Sequence, residues 1–267
     1  MIKSVLLGAL QGFTEFLPVS SSGHLVLAQS LLGFAEHPLP FDILLHIATM
    51  LATVCFFYKS IWEALKGWLW GFTRRDLRDS WGWETGWAVI VGNVATVFVA
   101  LLMKDKVAYM FQSPTFVGIA LIITGLVLWY GSGKKGTRIK PDLKSGFLCG
   151  LAQGIAVIPG ISRSGITIVT ALVRGFSLEE AFRFSFMLSL PAIGGAVILE
   201  ILDAGAIDAF ASNLPKGWIW GVLSAFLCGM FALAILRRVV IFGKWRYFSV
   251  YCFVVGVLSL FVGMKGV

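Results

Sequence analysis

The sequence predicts an all-α polytopic membrane protein built as an inverted-topology repeat. Three observations carry that expectation: a composition too apolar for a soluble domain, six apolar runs of membrane-spanning length, and two pairs of shorter apolar runs, each broken by a similar polar turn. Hydrophobic residues make up 58% of the 267, mean hydropathy is +0.86, and 13% are charged, where soluble domains run near ~25%. That content excludes a disordered chain and a secreted disulfide scaffold. Cys55, Cys149, Cys228 and Cys252 each lie in an apolar stretch with no CxxC pair, and read as small buried hydrophobes rather than metal ligands. The net charge of +8 sits in short polar segments between apolar runs. It reads as loops obeying the positive-inside rule, with the bilayer and not nucleic acid as the partner.

A crossing needs about 20 apolar residues. The first runs, 2–16 and 23–33, are too short and flank Leu17-Pro18-Val19-Ser20-Ser21-Ser22-Gly23. Short helix, polar break and short helix describe a re-entrant hairpin, whose break is tolerated at membrane depth only where protein buries it or a wet cavity meets it. Span 41–58 follows. The segment 60–84 mixes Trp62, Trp68, Trp70, Trp81 and Trp83 with Lys and Arg, the pattern of an interfacial anchor at headgroup depth. Spans 85–103 and 114–131 complete the first half. A basic linker, 132–144, leads to a second hairpin, 145–158 and 165–174, around Pro159-Gly160-Ile161-Ser162-Arg163-Ser164-Gly165. Spans 185–202, 217–236 and 245–264 close the chain. The whole, 1–267, reads as one membrane domain, with repeat one at 1–131 and repeat two at 145–264. The N-terminus does not read as a cleavable signal, because Gln11 and Glu15 interrupt its apolar run.

Shifted by 142 residues, the chain matches itself at Gln11-Gly12 with Gln153-Gly154 and at Ser20-x-Ser22-Gly23 with Ser162-x-Ser164-Gly165. Each half is one hairpin plus three spans. Three is odd, so the second hairpin enters from the opposite face and the two turns meet near the midplane. The same count puts sixteen of the 22 Lys and Arg on one face. That face is expected to be cytoplasmic, with both termini and the active-site mouth on the outer, periplasmic side of a bacterial plasma (inner) membrane.

Ionisable groups at bilayer depth cost about 2.5–3.5 kcal/mol each, so they have a partner or a task. Glu15, His24 and Arg163 fall in or beside the turns. A structural ion pair fastening the repeats would account for two of them. A richer reading comes from their surroundings. Half-helices starting near Gly23 and Gly165 aim their positive ends at the junction. Ser20, Ser21, Ser22, Ser162 and Ser164 offer hydroxyls, while Gly23, Gly160 and Gly165 permit close backbone approach. A guanidinium forks onto two phosphate oxygens. Together these predict a phosphate site. Ser20 and Ser21 precede His24 by four and three residues, so either shares a helical face with it. His24 is a candidate proton carrier, and Glu15 a group that orients it or holds a cation. Gln11, one turn before Glu15, is a tentative second metal ligand. The nucleophile stays open among Ser21, Ser20, His24 and water. Asp42 and His46, spaced i,i+4, read as a second shell or a helix-end pair.

These residues carry a resemblance. Gln11-Gly12-x-x-Glu15-Phe16-Leu17-Pro18-Val19-Ser20-Ser21-Ser22-Gly23-His24, with Pro159-Gly160-Ile161-Ser162-Arg163-Ser164-Gly165 and Phe41-Asp42 with Leu45-His46, resembles the undecaprenyl-diphosphate phosphatase (BacA) family over essentially the whole chain. The resemblance implies an integral membrane hydrolase that converts undecaprenyl diphosphate to the monophosphate and inorganic phosphate. That reaction recycles the lipid carrier of peptidoglycan synthesis and confers bacitracin resistance, with help from a divalent cation, Mg2+ or Ca2+. It implies catalytic roles for Glu15, Ser21, His24 and Arg163, with Gln11 where better-known members carry Glu. A transporter or flippase for a phosphorylated lipid or anion is the rival reading, since inverted repeats with broken helices also describe carriers. Oligomeric state is not legible, and a homodimer is compatible with the chain.

Overall fold

The computed structural model describes residues 1–24, 39–111, 113–203 and 214–264. Among them are ten α-helices of ten or more residues: α1 (Ile2–Phe16), α2 (Leu39–Phe56), α3 (Tyr58–Gly71), α4 (Trp81–Phe111), α5 (Pro114–Gly131), α6 (Leu143–Ile155), α7 (Arg163–Val173), α8 (Leu178–Asp203), α9 (Trp218–Ile241) and α10 (Arg246–Met264). A 3-10 turn occupies Arg75–Asp79, and 21–24 are helical. Most of the second arm expected for the first hairpin, 23–33, lies outside the described residues. The chain is an all-α polytopic membrane protein.

All six expected spans are helical, but they do not all meet the same length. The helices α4, α5, α8 and α9 are long and apolar enough to cross a bilayer. The run expected at 41–58 ends at a 75° bend, where α2 gives way to α3. Phe57 fills that corner and is buried. The apolar stretch of α10 runs only Arg246–Phe261, although its 19 residues still reach about 28 Å at 1.5 Å per residue. Helix α8 begins seven residues before the expected 185, because Ser177 Oγ accepts from Glu180 N (3.2 Å) and starts the helix in the polar connection.

The helix after the bend and the start of α4 carry the interfacial tryptophans. Trp68, Trp83, Trp87 and Phe72 pack edge to face, while Lys66 Nζ lies over the Trp62 and Trp70 rings at 5.0 and 5.7 Å. Aromatic rings locked to one another, with cations on their outer faces, suit headgroup depth. On the same side, Arg183 pairs with Glu63 and Arg237 with Glu179, and Trp81 Nε1 donates to Glu180 at 2.7 Å. These contacts tie α3, α4 and α9 to the start of α8. In the linker, Asp142 caps α6 by accepting from Ser145 N (2.7 Å) and pairs with Arg138 at 2.8 Å. Burial alone would push its carboxyl up, but those hydrogen bonds outweigh burial and hold it at about 2. Its contribution to folding is therefore complete above the ordinary carboxylate range and fades as the pH falls toward 2.

The two halves grip each other reciprocally. Helix α1 packs on α9 and α6 packs on α4, while α5 packs on α10. A methyl on Gly8 would collide with the Gly221 carbonyl, and one on Gly150, its counterpart 142 residues on, with the Gly92 carbonyl. At the third seam, a methyl on Gly118 would lie 2.8 Å from Gly256 O, and one on Gly256 2.9 Å from Gly118 O. Small residues let helix backbones approach in lipid, where van der Waals contact replaces the hydrophobic effect as the association force. Gly8→Ala is therefore expected to cost about 1–3 kcal/mol of stability by overpacking. Gly195→Ala, where a methyl meets nothing within 4 Å, is expected to cost none. Denaturation of the two purified variants in one detergent checks the difference.

Candidate active site

The two polar turns meet. Gly160 N donates to Ser20 Oγ (3.1 Å), and Gly23 N donates to the same oxygen (3.3 Å). One serine side chain thus fastens the second turn to the first. Its backbone is held at φ 67, and it is the one non-glycine residue in the left-handed region among those described. Such a conformation costs about 1–3 kcal/mol and persists where surroundings over-determine it. Gly160, at φ 97, takes its own left-handed turn without penalty. Thr124 of α5 completes the clasp: its Oγ1 donates to Gly160 O (2.8 Å) and accepts from Ser162 N (3.0 Å). Ser164 Oγ donates to Phe16 O (3.0 Å), and Ser162 Oγ caps α7 by accepting from Gly165 N (3.2 Å).

These bonds sort the expected phosphate-binding residues. Ser20, Ser162 and Ser164 are buried, as are Gly23, Gly160 and Gly165. Their polar groups are spent on joining the two segments or on bonds within each turn, so they frame the site. Ser21, Ser22 and His24 are partly open. Ser22 Oγ sits 3.3 Å from Ser20 Oγ.

Glu15, at the end of α1, is the hub. Arg163 Nη2, at the first position of α7, pairs with its Oε1. Ser21 Oγ donates to Oε2 at 2.9 Å, and Gln11 Nε2, one turn earlier, to the same oxygen at 3.2 Å. The side chains of Glu15 and Arg163 are 8% and 18% exposed, so the pair is desolvated yet reachable. Arg163 also stands at the positive end of α7, which adds to the field an anion would meet. The structure therefore brings Gln11, Glu15, Ser21 and Arg163 into one contiguous set from three segments. The serine faces a carboxylate and not the histidine.

His24 is held elsewhere on the rim. Its Nδ1 lies 2.8 Å from Ser20 O and its Nε2 lies 2.6 Å from the hydroxyl of Tyr251, on α10. The two rings are nearly parallel, 6° apart. Neither Tyr251 nor Thr124 was expected from the sequence. Each is one of several hydroxyl residues in an apolar span, and nothing in its spacing marks it. His46, the other candidate, directs Nδ1 to the Asp42 carbonyl oxygen at 2.9 Å within α2, a local helix contact.

A resident divalent cation asks for six or more oxygen ligands. Among the described residues, no three His, Cys, Asp or Glu side chains cluster for a metal. Both Glu15 oxygens are engaged, one by a guanidinium. Gln11 Oε1 is buried without a partner, which would suit a cation, but so is Oε1 of its counterpart Gln153, whose amide nitrogen bonds Thr96 and Leu188 O instead. The orphaned oxygen is thus shared by both halves and does not single out a metal. These side chains alone fall short of a divalent-cation site.

The profile of the bacitracin resistance protein BacA family matches residues 4–258. The chain belongs to this family. Among relatives of the BacA family, an undecaprenyl-diphosphatase of Desulfosudis oleivorans is 40% identical, with 99% of each chain covered. One of Methanosphaera stadtmanae is 37% identical, over 99% of this chain and 98% of the relative. One of Carboxydothermus hydrogenoformans is 38% identical over the same shares. Glu15, Ser21 and Arg163 all lie inside the matched BacA region, on the two turns that the fold joins.

Proposed function

We propose that this chain hydrolyses undecaprenyl diphosphate to undecaprenyl phosphate and inorganic phosphate. The observation that carries the reading is Ser21 Oγ donating to a carboxylate that Arg163 also holds. A hydroxyl, a base and a guanidinium in contact are what phosphoryl transfer needs: a nucleophile or water-positioning group, a proton acceptor, and a donor fork for the charge on the phosphoryl oxygens. A carrier has use for the guanidinium but none for the serine and carboxylate. The relatives named as undecaprenyl-diphosphatases, aligned over nearly the whole chain, supply the substrate class.

The prenyl chain stays in lipid while the diphosphate comes up beside the joined turns, where Ser21 and Arg163 are partly open. Its terminal phosphate displaces Glu15 from Arg163, since a dianion outbids a carboxylate for the fork. Glu15 takes the Ser21 proton as the serine oxygen bonds the terminal phosphorus and the bridging P–O bond breaks, and it passes that proton to the departing undecaprenyl phosphate. Water then attacks the phosphoserine, with Glu15 taking its proton and returning one to the Ser21 oxygen as inorganic phosphate leaves. The buried serines and glycines keep both turns in place, so little rearrangement is needed during reaction. Lipid-carrier recycling and bacitracin resistance follow from that product. The basic segments, 59–84, 132–144, 174–184 and 237–246, are placed on the cytoplasmic side of a bacterial plasma membrane, with the termini outside.

A divalent cation, Mg2+ or Ca2+, is proposed to assist the reaction; Gln11 and Glu15 alone would not hold it, and it would supply positive charge against the phosphate oxygens. Purified protein in detergent is expected to release one phosphate per undecaprenyl diphosphate, and a chelator to lower that rate with restoration by added cation. Tight lipid binding with no phosphate release from well-folded protein would overturn hydrolysis and favour transport.

A further inference from the structure

We infer that Tyr251 is a positioning residue for the hydrolysis, holding His24 in one tautomer and one orientation at the rim of the site. The inference rests on the phosphatase reading above. A carbonyl oxygen only accepts, so the Ser20 contact at 2.8 Å requires a proton on Nδ1. That assignment leaves the lone pair on Nε2, where the tyrosine hydroxyl donates across 2.6 Å. The rings lie nearly parallel, 5.6 Å between centroids, and the two contacts at different ring nitrogens fix the orientation of the imidazole. Which ring nitrogen is reactive is set by the hydrogen bond the other one makes. Here both nitrogens are specified, by residues of opposite halves of the chain.

The contact is not a by-product of packing. Helix α10 is fastened by its buried face, through Ser249 Oγ to Gly125 O (2.6 Å) and Cys252 Sγ to Pro18 O (3.5 Å). Both neighbours are fully buried, whereas Tyr251 is 43% exposed. Its ring is not needed to seat the helix, and its hydroxyl meets His24. The Ser20 carbonyl that holds the other nitrogen belongs to the strained residue which Gly160 and Gly23 lock in place. His24 is therefore registered against the same clasp that places Arg163. In this arrangement Nε2 is kept deprotonated and directed at the hydroxyl of a tyrosine that is itself 43% exposed, available once that hydroxyl is displaced.

Tyr251→Phe keeps the ring and the stack while removing the donor. Its kcat for phosphate release is expected to fall about tenfold with KM unchanged, the effect of one hydrogen bond. The second readout is the 15N spectrum of histidine-labelled protein, assigned with His24→Asn. Wild type is expected to show His24 as an Nδ1-protonated tautomer whose Nε2 resonance carries the shift of a hydrogen-bond acceptor, and Tyr251→Phe is expected to lose that Nε2 shift. Unchanged kcat together with an unchanged spectrum overturns the proposal. A fall in thermal stability with kcat and spectrum intact would also overturn it, in favour of a structural tyrosine. If wild type releases no phosphate at all, the phosphatase reading fails while the tautomer spectrum still tests the contact.

Discussion

Arg163→Lys is expected to lower kcat/KM for phosphate release by about 10²–10³-fold, the usual loss when one preorganised donor to a developing oxyanion is removed. Lysine keeps a positive charge beside Glu15, so the resting ion pair survives in altered form. What disappears is the planar fork that meets two phosphate oxygens at once. Arg163→Ala is a poorer experiment. It strands the Glu15 carboxylate, 8% exposed, without a partner, and breaking a desolvated pair in that way costs about 3–5 kcal/mol. A dead alanine variant would thus confuse lost chemistry with lost fold. The informative result is a lysine variant whose unfolding matches wild type and whose turnover collapses. A lysine variant with near-wild-type turnover would show that Arg163 acts as a point charge or only as a structural partner of Glu15.

The class of fold and the meeting of the turns were legible because they follow from chain-wide patterns. Apolar length marks the candidate spans, and two broken runs with matching Ser-x-Ser-Gly turns mark the pair that meets. The Glu15–Arg163 partnership followed as well, since two unmatched charges at bilayer depth have few alternatives. Legibility ended where a role depends on which neighbour a hydroxyl finds. Ser20, Ser21, Ser22, Ser162 and Ser164 look alike in sequence, yet Ser20, Ser162 and Ser164 hold the frame and Ser21 faces the carboxylate. His24 stands four residues after Ser20, which predicts a shared face. The ring does reach Ser20, but at its carbonyl and not its hydroxyl. Tyr251 was hidden for a simpler reason: Tyr247, one turn earlier on α10, is a tyrosine too, and only the packing of α10 separates an exposed ring from one that touches a histidine.

Ser21→Ala and Glu15→Gln, singly and together, are expected to give strongly non-additive losses. Each alone is expected to lower kcat by about 10²–10⁴-fold, the range for removing a positioned proton acceptor or the group it serves. If Glu15 works by taking the Ser21 proton, then a protein without the serine has nothing left for the carboxylate to activate. The double variant should fall no lower than the worse single variant, as groups acting as one unit do. The glutamine is chosen because it is isosteric with Glu15 and keeps one oxygen acceptor for Arg163, while its amide nitrogen replaces the oxygen that accepts from Ser21 and Gln11, so its unfolding is compared with that of wild type. It removes the charge, and with it the basicity. Additive losses would mean that serine and carboxylate act in separate steps, with Ser21 binding phosphate and water as the nucleophile. A Ser21→Ala variant with undiminished turnover would remove the serine from the chemistry and leave Glu15 to activate water directly. Each pattern leaves Arg163 as the phosphate donor fork, so the cycle decides the nucleophile without reopening the question of where the phosphate sits.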